Sequence, residues 1–227
     1  MTDLTGLLAG NRYPGRGVLC ARTLAGDVYG AYFLTGRSAA SRERTLLPRG
    51  DELVVAPAAA TEHDALRHYV AARRTADWLV FGNGEQVSTV ADRLDAGASA
   101  ADSLGDLSYE PDPPILTSRI TALLGVRAPH PVVFGAARPS RSSRTGANVM
   151  TLATDELAPG DAVLLTTYVS DGVDVATAPP YTEARTGARS AAELLDEVWS
   201  SLSADHRIAA AVLDPAAGPA GALLRSA

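Results

Sequence analysis

The chain has 227 residues, of which 46% are hydrophobic and 20% are charged, and its formal net charge is -6 at pH 7. These values are typical of a globular protein with a sizeable core and exclude a disordered chain, so we predict one domain over residues 1–227. The acidic balance argues against nucleic acid as a partner. Because no apolar run reaches about 18 residues and no export signal is visible, we predict no membrane association and a cytoplasmic location.

Basic and cysteine residues restrict the possible chemistry. All 20 basic residues are arginine, which excludes lysine Schiff-base chemistry and leaves guanidinium groups, hydroxyls or backbone amides to hold a phosphate. Cys20 is the single cysteine, so an internal disulfide is excluded. It lies in an alternating apolar segment, which favours a buried, inert thiol over a nucleophile.

The first half of the chain predicts a hairpin, further strands and two helices. The hairpin turns at Ala25-Gly26-Asp27, and a buried strand stops at Gly82-Asn83-Gly84 before a helical pattern begins. The predicted strands cover residues 17–24, 28–35, 52–56, 64–72 and 78–81. The apolar positions of residues 64–72 fit neither the helical nor the strand period cleanly, so a helix stays open there and a strand is favoured. The predicted helices cover residues 87–94 and 98–107.

The second half predicts mainly sheet. A Pro-rich loop occupies residues 109–114, and Ser190 caps a helix whose apolar stripe runs to residue 202. The predicted strands cover residues 120–124, 131–136, 148–152, 162–169 and 207–213. Because strands and helices come in separate runs, we expect an α+β fold with two packed sheets and helices outside them.

Four arginine clusters combine guanidinium groups with hydroxyls or glycine. Such groups bind phosphate through paired hydrogen bonds, although surface arginines that only improve solubility give the same pattern. The clusters cover residues 13–16, residues 35–38 with Arg42, residues 118–119 and residues 138–144.

The strand-to-helix turn at residues 81–86 is a second candidate site. Asn83 and Gln86 offer amides at a helix N-terminus, where backbone N–H groups favour negative charge, although a simple helix cap would have the same sequence. Glu85 and Glu110 are candidate acids or bases if a closed cleft raises their pKa, and otherwise they are ordinary solvated side chains.

The histidine pattern does not indicate a metal site. His63, His68, His130 and His206 show no zinc-type spacing and are not accompanied by a cysteine pair. The common phosphate-loop, dinucleotide and serine-hydrolase motifs are also missing from the sequence. We therefore expect no metal site.

Several motifs together resemble the archaeal-type IMP cyclohydrolases over nearly the whole chain. Y-P-G-R at residues 13–16 is similar to that family's opening Y-x-G-R, and residues 32–38 with Arg42 resemble its Y-x-V-S-S-R-S segment. Asn83-Gly84 followed by Gln86 resembles its N-G turn. Residues 109–120 resemble its D-Y-E-x-D to P-R-I segment, and residues 209–212 resemble its closing strand.

The resemblance implies a four-layer αββα sandwich like that of the N-terminal-nucleophile hydrolases, without self-cleavage, and a homo-oligomer. It implies closure of a formamido-imidazole carboxamide ribotide to IMP with loss of water, without a cofactor. Under this hypothesis Arg16, Arg37, Ser38 and Arg119 bind the phosphate and polarise the formyl oxygen. Asn83 and Glu110 orient the carboxamide and move protons. The remaining residues expected to bind or act on the nucleotide are Tyr13, Arg42, Gln86, Tyr109 and Tyr168.

Two other functions fit the same residues. One is a hydrolase or cyclase that acts on another formamido or cyclic amide nucleotide, suggested by Gly36 where the family has serine and by Ala39-Ala40-Ser41 in place of F-P-N. The other is a non-catalytic protein that binds purine nucleotides.

Overall fold

The computed structural model describes residues 2–58, 64, 66–140, 146–171, 175–177 and 181–227. The elements of its first half are β1 (Thr2–Asp3), α1 (Leu4–Ala9), β2 (Arg16–Arg22), β3 (Val28–Thr35), α2 (Ala39–Arg42), β4 (Arg44–Arg49), β5 (Glu52–Pro57), β6 (Tyr69–Arg74), β7 (Trp78–Gly82), α3 (Gln86–Asp95) and α4 (Ala100–Ser103). Those of its second half are β8 (Arg119–Gly125), β9 (Val132–Pro139), β10 (Ala147–Thr154), β11 (Asp161–Thr166), β12 (Tyr168–Ser170), β13 (Val175–Thr177), β14 (Thr182–Arg185), α5 (Ala191–Ser201), β15 (Arg207–Leu213), a 3-10 turn (Pro219–Gly221) and β16 (Leu223–Ser226).

The strands form two seven-stranded open sheets and one small pair. The first sheet has the order β1-β14-β11-β2-β3-β15-β16, and the second has the order β10-β9-β8-β7-β6-β5-β4. Strands β12 and β13 pair separately. All neighbours are antiparallel except β1 and β14. The protein is therefore a mixed α and β structure dominated by antiparallel sheet.

Alternation along the strands sends side chains to the two faces of each sheet. In β2, Val18 and Cys20 belong to the large apolar cluster that joins the two sheets, whereas Leu19 and Ala21 belong to a cluster with α1 and α5. A third cluster joins α3 to the other face of the second sheet. Full burial of a large apolar side chain contributes about 1.5–3 kcal/mol, so the cluster between the sheets dominates the packing.

Helix α5 illustrates how local sequence sets an element. The Ser190 side chain accepts a hydrogen bond from the backbone N–H of Glu193 and so caps the helix. Leu194, Leu195 and Val198 form its buried face. This helix and the strand that follows it agree with the sequence prediction, as does the β2–β3 hairpin.

Three predicted elements differ from the structure. Strand β6 starts at Tyr69, because the backbone N–H groups of Arg67 and His68 donate to the Asp64 carbonyl in a turn. The helix predicted at residues 98–107 is only Ala100–Ser103, and Asp106 then adopts a positive φ of 55°. The strand predicted at residues 162–169 is divided at Thr167 into β11 and β12.

Seven of the described helices and strands were not predicted from the sequence, namely β1, α1, α2, β4, β13, β14 and β16. Strand β4 is an edge strand that contains Pro48, a residue tolerated at sheet edges, and α1 is a short helix capped by Asp3. Every helix in the described part of the chain is too short or too polar to span a membrane.

Candidate active site

Polar side chains collect where strands of both sheets begin or end. Antiparallel pairing places the start of β2 opposite the end of β3, and the start of β8 beside the end of β7. We call this region the polar end and define it by Arg16, Arg44, Asn83, Glu110 and Arg119. Arg16 continues the inward-facing positions of β2, so a charged group occupies the place of the next core residue.

Arg16 and Glu110 form a buried ion pair between an Arg16 Nη2 donor and Glu110 Oε1. Their side chains are only 10% and 5% exposed. Burial raises the pKa of Glu110, and the Arg16 guanidinium partly offsets this effect. Burial by itself lowers the pKa of Arg16, but Glu110 and nearby phenol groups raise it well above its ordinary value. The pair therefore holds a carboxyl group whose proton affinity is increased.

Gly15 fixes the backbone that presents Arg16. Its φ is +74°, and a Cβ at this position would lie 2.2 Å from the Thr167 hydroxyl oxygen. The Thr167 hydroxyl also accepts a hydrogen bond from the backbone N–H of Arg16 at 3.0 Å. Glycine at this position thus allows the turn that aims Arg16 at Glu110.

Asn83 holds the other side of Glu110. Its Nδ2 donates to Glu110 Oε1 at 2.8 Å and to the Ser118 carbonyl at 2.9 Å. Its Oδ1 accepts from the backbone N–H of Ile120 at 2.6 Å. Both amide hydrogens of Asn83 are therefore engaged within the protein, and the side chain positions the carboxylate.

Unsatisfied polar atoms surround this carboxylate. The buried atoms without a hydrogen-bond partner among the described residues include four here: Arg16 Nε, Gln86 Oε1, Ser118 Oγ and Arg119 Nε. Each such atom costs about 1–3 kcal/mol, so their concentration at one place indicates groups that await a polar ligand. A cavity of about 170 Å³ adjoins them, lined by Leu66, Asn83, Gly84, Glu85, Glu110, Pro111 and Arg119.

Two tyrosines lie on the other side of Arg16. The rings of Tyr13 and Tyr168 stack at 5.7 Å with an interplanar angle of 19°. The Tyr168 hydroxyl hydrogen-bonds the Thr117 hydroxyl, which in turn donates to Asp112. Burial raises the pKa of Tyr168, so this phenol is kept neutral and oriented.

The predicted residues of the β3–β4 segment are more exposed. The Arg37 guanidinium carbon lies 4.8 Å from the centre of the Tyr13 ring, which joins Arg37 to the tyrosine pair. Ser38 caps α2 by accepting from the backbone N–H of Ser41, and the Arg42 Nε donates weakly to the Gly36 carbonyl at 3.4 Å. Within the described structure, neither Ser38 nor Arg42 hydrogen-bonds Glu110 or Asn83.

The remaining predictions fall in different places. Gln86 is buried against Asn83, while Tyr109 is half-buried beside Glu110 in the chain. Glu85 is exposed, so it lacks the closed environment expected of an acid–base group. His63 and residues 141–144 of the last arginine cluster lie outside the described residues.

Sequence reasoning missed Thr117, His206 and Arg44. Thr117 could have been found from the run that links Asp112 to Ser118, but the edge-on contact of His206 with Tyr13 at 5.4 Å has no local signal. Arg44 could have been suspected, because it precedes the inward-facing Leu46 by two positions. No group of three potential metal ligands occurs among the residues that the structure describes.

The fold and site together define a mixed α and β protein with a buried carboxylate–guanidinium pair at one end of its two sheets. A family model described as IMP cyclohydrolase-like protein matches residues 13–216. The match covers most of the sequence, and the chain therefore belongs to the IMP cyclohydrolase-like protein family. Comparison with curated proteins gives no significant match.

Proposed function

We propose that this protein closes the second purine ring, converting 5-formamidoimidazole-4-carboxamide ribotide to IMP with loss of water. The observation that supports this proposal best is the buried Glu110, held by Arg16 and Asn83 next to a cavity with unsatisfied polar atoms. Membership of the IMP cyclohydrolase-like family gives the class of reaction. Both reacting groups belong to one ring, so the protein has only to hold them together, stabilise charge and move protons.

Glu110 is the proton carrier in this mechanism. The carboxamide nitrogen attacks the formyl carbon and loses a proton, which the Glu110 carboxylate accepts. Glu110 returns this proton to the former formyl oxygen, which becomes a hydroxyl group. The formamide nitrogen then loses its proton to Glu110 as the ring C=N bond forms, and Glu110 passes that second proton to the hydroxyl oxygen, which leaves as water. A carboxyl group with a raised pKa suits both steps, because it takes up a proton more readily than an ordinary glutamate and can still return it.

Arginine side chains stabilise the oxygen that becomes negative during attack. Arg119 lines the cavity, and its Nε and that of Arg16 have no hydrogen-bond partner in the described structure. Donors that are fixed before the reaction stabilise a developing oxyanion most effectively. Ser118, whose buried hydroxyl is also unsatisfied, is a further donor or acceptor for the ring substituents.

Asn83 acts as a positioning residue in this proposal. The sequence hypothesis assigned its amide to the substrate carboxamide, but both amide hydrogens are engaged by Glu110 and the Ser118 carbonyl. Tyr13 and Tyr168 contact the heterocycle, with Arg37 beside Tyr13. Direct contact with the substrate is also proposed for Tyr109, Gln86 and Ser38.

We further propose that the two sheets and their outer helices form a four-layer αββα sandwich, similar to the N-terminal-nucleophile hydrolases but without self-cleavage. The three apolar clusters support this arrangement. One domain over residues 1–227, a homo-oligomer, a cytoplasmic location and independence from cofactors complete the proposal.

The decisive experiment incubates the purified protein, dialysed against a chelator, with the formamido ribotide and follows ultraviolet absorbance as the purine forms. We expect saturable turnover, and product identity is checked by chromatography against IMP. The same assay with boiled protein measures spontaneous closure. Binding of the ribotide without turnover would contradict the catalytic proposal and favour a nucleotide-binding protein.

A further inference from the structure

Three side chains form a continuous hydrogen-bonded network from Asp112 to Tyr168. The Thr117 hydroxyl donates to Asp112 Oδ2 and also hydrogen-bonds the Tyr168 hydroxyl. The Thr117 backbone N–H donates to the other oxygen of the same carboxylate, Asp112 Oδ1, at 2.6 Å. Thr117 and Tyr168 are only 1% and 5% exposed, so water has little access to the bond between them. We call these three side chains the hydroxyl network.

The number of hydrogens in the hydroxyl network fixes the direction of each bond. An ionised carboxylate has no hydrogen to donate, and each hydroxyl has one. The hydroxyl hydrogen of Thr117 is given to Asp112, so Thr117 accepts and Tyr168 donates in the bond between the two hydroxyls. The single hydroxyl hydrogen of Tyr168 is therefore used, and its oxygen can offer only lone pairs to a ligand.

Thr117 also places the Tyr168 oxygen at the polar end. Its carbonyl accepts a hydrogen bond from the Glu110 backbone N–H at 2.8 Å, so one residue contacts both Glu110 and the Tyr168 hydroxyl. Burial raises the pKa of Tyr168, the charge of Arg16 lowers it and the charge of Glu110 raises it, as expected for a hydroxyl close to this ion pair. Among the described residues, Thr117 is the only hydrogen-bond partner of the Tyr168 hydroxyl.

We infer that the Tyr168 hydroxyl acts only as a hydrogen-bond acceptor and binds the carboxamide nitrogen of the ribotide, and that Asp112 and Thr117 are positioning residues that set this polarity. The inference rests on the proposed function. The carboxamide nitrogen carries two hydrogens, of which one goes to Glu110 during closure and the other stays as the N1–H of IMP. Glu110 and Tyr168 each accept from one of these N–H groups, which fixes the plane of the carboxamide relative to the formyl carbon.

The substitution Asp112→Asn should reverse the polarity of the hydroxyl network. The Thr117 backbone N–H can only donate, so the asparagine must place its oxygen at the Oδ1 position and its NH₂ group at the Oδ2 position. The NH₂ group then donates to the Thr117 hydroxyl, which turns its own hydrogen to Tyr168. The Tyr168 hydrogen is released to point at the ligand, so Tyr168 becomes a donor.

Calorimetry tests this reversal with two ribotides that differ at the proposed contact. IMP carries a hydrogen on N1, whereas purine ribotide, which lacks the 6-oxygen, has a lone pair on N1. We expect Asp112→Asn to reduce the preference for IMP over purine ribotide roughly 10- to 100-fold, because IMP loses a hydrogen bond and purine ribotide gains one. The missing 6-oxygen affects wild type and variant equally, so it cancels in this comparison.

Asp106→Asn is the matched control for the loss of charge. Asp106 is exposed and has a φ of 55°, a conformation that asparagine tolerates, so its substitution should leave the preference unchanged. Binding is measured in place of turnover because burial raises the pKa of Glu110 and the charge of Asp112 adds to this effect. A change in kcat could therefore arise without any change at Tyr168.

Tyr168→Phe separates polarity from a purely structural role of Asp112. In the Tyr168→Phe background there is no hydroxyl to reverse, so Asp112→Asn should no longer change the preference. An unchanged preference in the single variant, equal weakening of both ribotides, or the same shift in the Tyr168→Phe background would overturn the inference. If thermal unfolding shows that Asp112→Asn does not fold, Thr117→Val decides the result. This variant keeps the shape of the side chain but frees the Tyr168 hydrogen, so it should also reduce the preference.

Turnover distinguishes this inference from the proposed function. Ring closure by the wild-type protein together with an unchanged preference in Asp112→Asn removes the inference alone. A shifted preference without ring closure by the wild-type protein removes the catalytic proposal alone and keeps the polarity of Tyr168.

Discussion

The apolar cluster between the sheets and the polar end of the same interface are built on the same strands. In β2, Val18 and Cys20 are fully buried among aliphatic neighbours, whereas Arg16, the preceding inward position, meets Glu110. In β4, Leu46 packs in the core and Arg44 occupies the preceding inward position. One alternating pattern therefore produces both a dry core and a charged site, and the difference lies in the first residue of each strand.

The two regions should respond differently to substitution. Packing in the core stabilises the protein because it removes apolar surface from water. This stabilisation does not depend on the reaction that the protein catalyses. The polar end keeps buried charges and unsatisfied polar atoms, which lower stability in the absence of a ligand. Variants of the core should lower stability with little effect on turnover. Variants of the polar end should lower turnover with little loss of stability.

The largest effect is expected for Glu110→Gln. Loss of the proton carrier should lower kcat about 10²- to 10⁴-fold, because general acid–base catalysis typically contributes that much, while KM changes little. Steady-state kinetics on the ribotide measures both constants. Glu183→Gln, an exposed change on β14, is the matched control and should be neutral. Wild-type kcat in Glu110→Gln would assign the proton transfer to another group.

A core variant should show the opposite behaviour. Leu53 is fully buried between the sheets, so Leu53→Ala should lower the free energy of unfolding by about 2–5 kcal/mol. Urea denaturation measures this loss, and kcat per folded molecule should stay at the wild-type value. Leu47→Ala, at a 38% exposed position of β4, should cost much less. Loss of kcat in folded Leu53→Ala would show that the two regions are not independent.

The pH dependence of stability tests the electrostatics of Glu110. Because burial raises its pKa, folded Glu110 holds a proton over a pH range in which an unfolded glutamate, with a pKa of about 4.3, has lost it. The folded state then binds more protons, so the free energy of unfolding falls as pH rises from about 4.3 through the raised pKa. Wild type should lose stability relative to Glu110→Gln across this window. An advantage of wild type that grows with pH would mean that Arg16 dominates and lowers the pKa.

The smallest effect is expected at Ser38. Its hydroxyl caps α2, so Ser38→Ala should cost about 1 kcal/mol of stability or less, and loss of the proposed substrate contact should raise KM for the ribotide only slightly. Urea denaturation and steady-state kinetics measure the two quantities. Ser38→Thr keeps the capping oxygen and should restore the stability. An unchanged KM in Ser38→Ala would remove Ser38 from the proposed substrate contacts.

Local patterns predicted the elements that have strong local signals. The β2–β3 hairpin has a Gly-containing turn between two apolar runs, and α5 has both a cap and a regular stripe, so each follows from its own residues. The turn at Asn83 was also recognised, because a buried strand ends there and a helix begins. These features need no knowledge of distant contacts.

The contacts that make the site were beyond local patterns. The Arg16–Glu110 pair joins residues 94 positions apart, and it depends on how the two sheets pack. Strand β4 was missed because half of it is exposed and it contains Pro48, so its burial signal is weak. Without β4, Arg44 was one more arginine after a predicted cluster. The motifs place Glu110 among the candidates, but only the sheet packing shows that Asn83 hydrogen-bonds it.

The buried Cys20 thiol can be used to detect separation of the two sheets. Cys20 is the only thiol in the sequence, it is fully buried between the sheets, and burial raises its pKa. A disulfide reagent can therefore modify the folded chain only when the sheets separate at this point. Modification rates measured with and without a bound nucleotide would give the free energy of that separation directly, and tight binding across the interface should slow the reaction in proportion to its affinity.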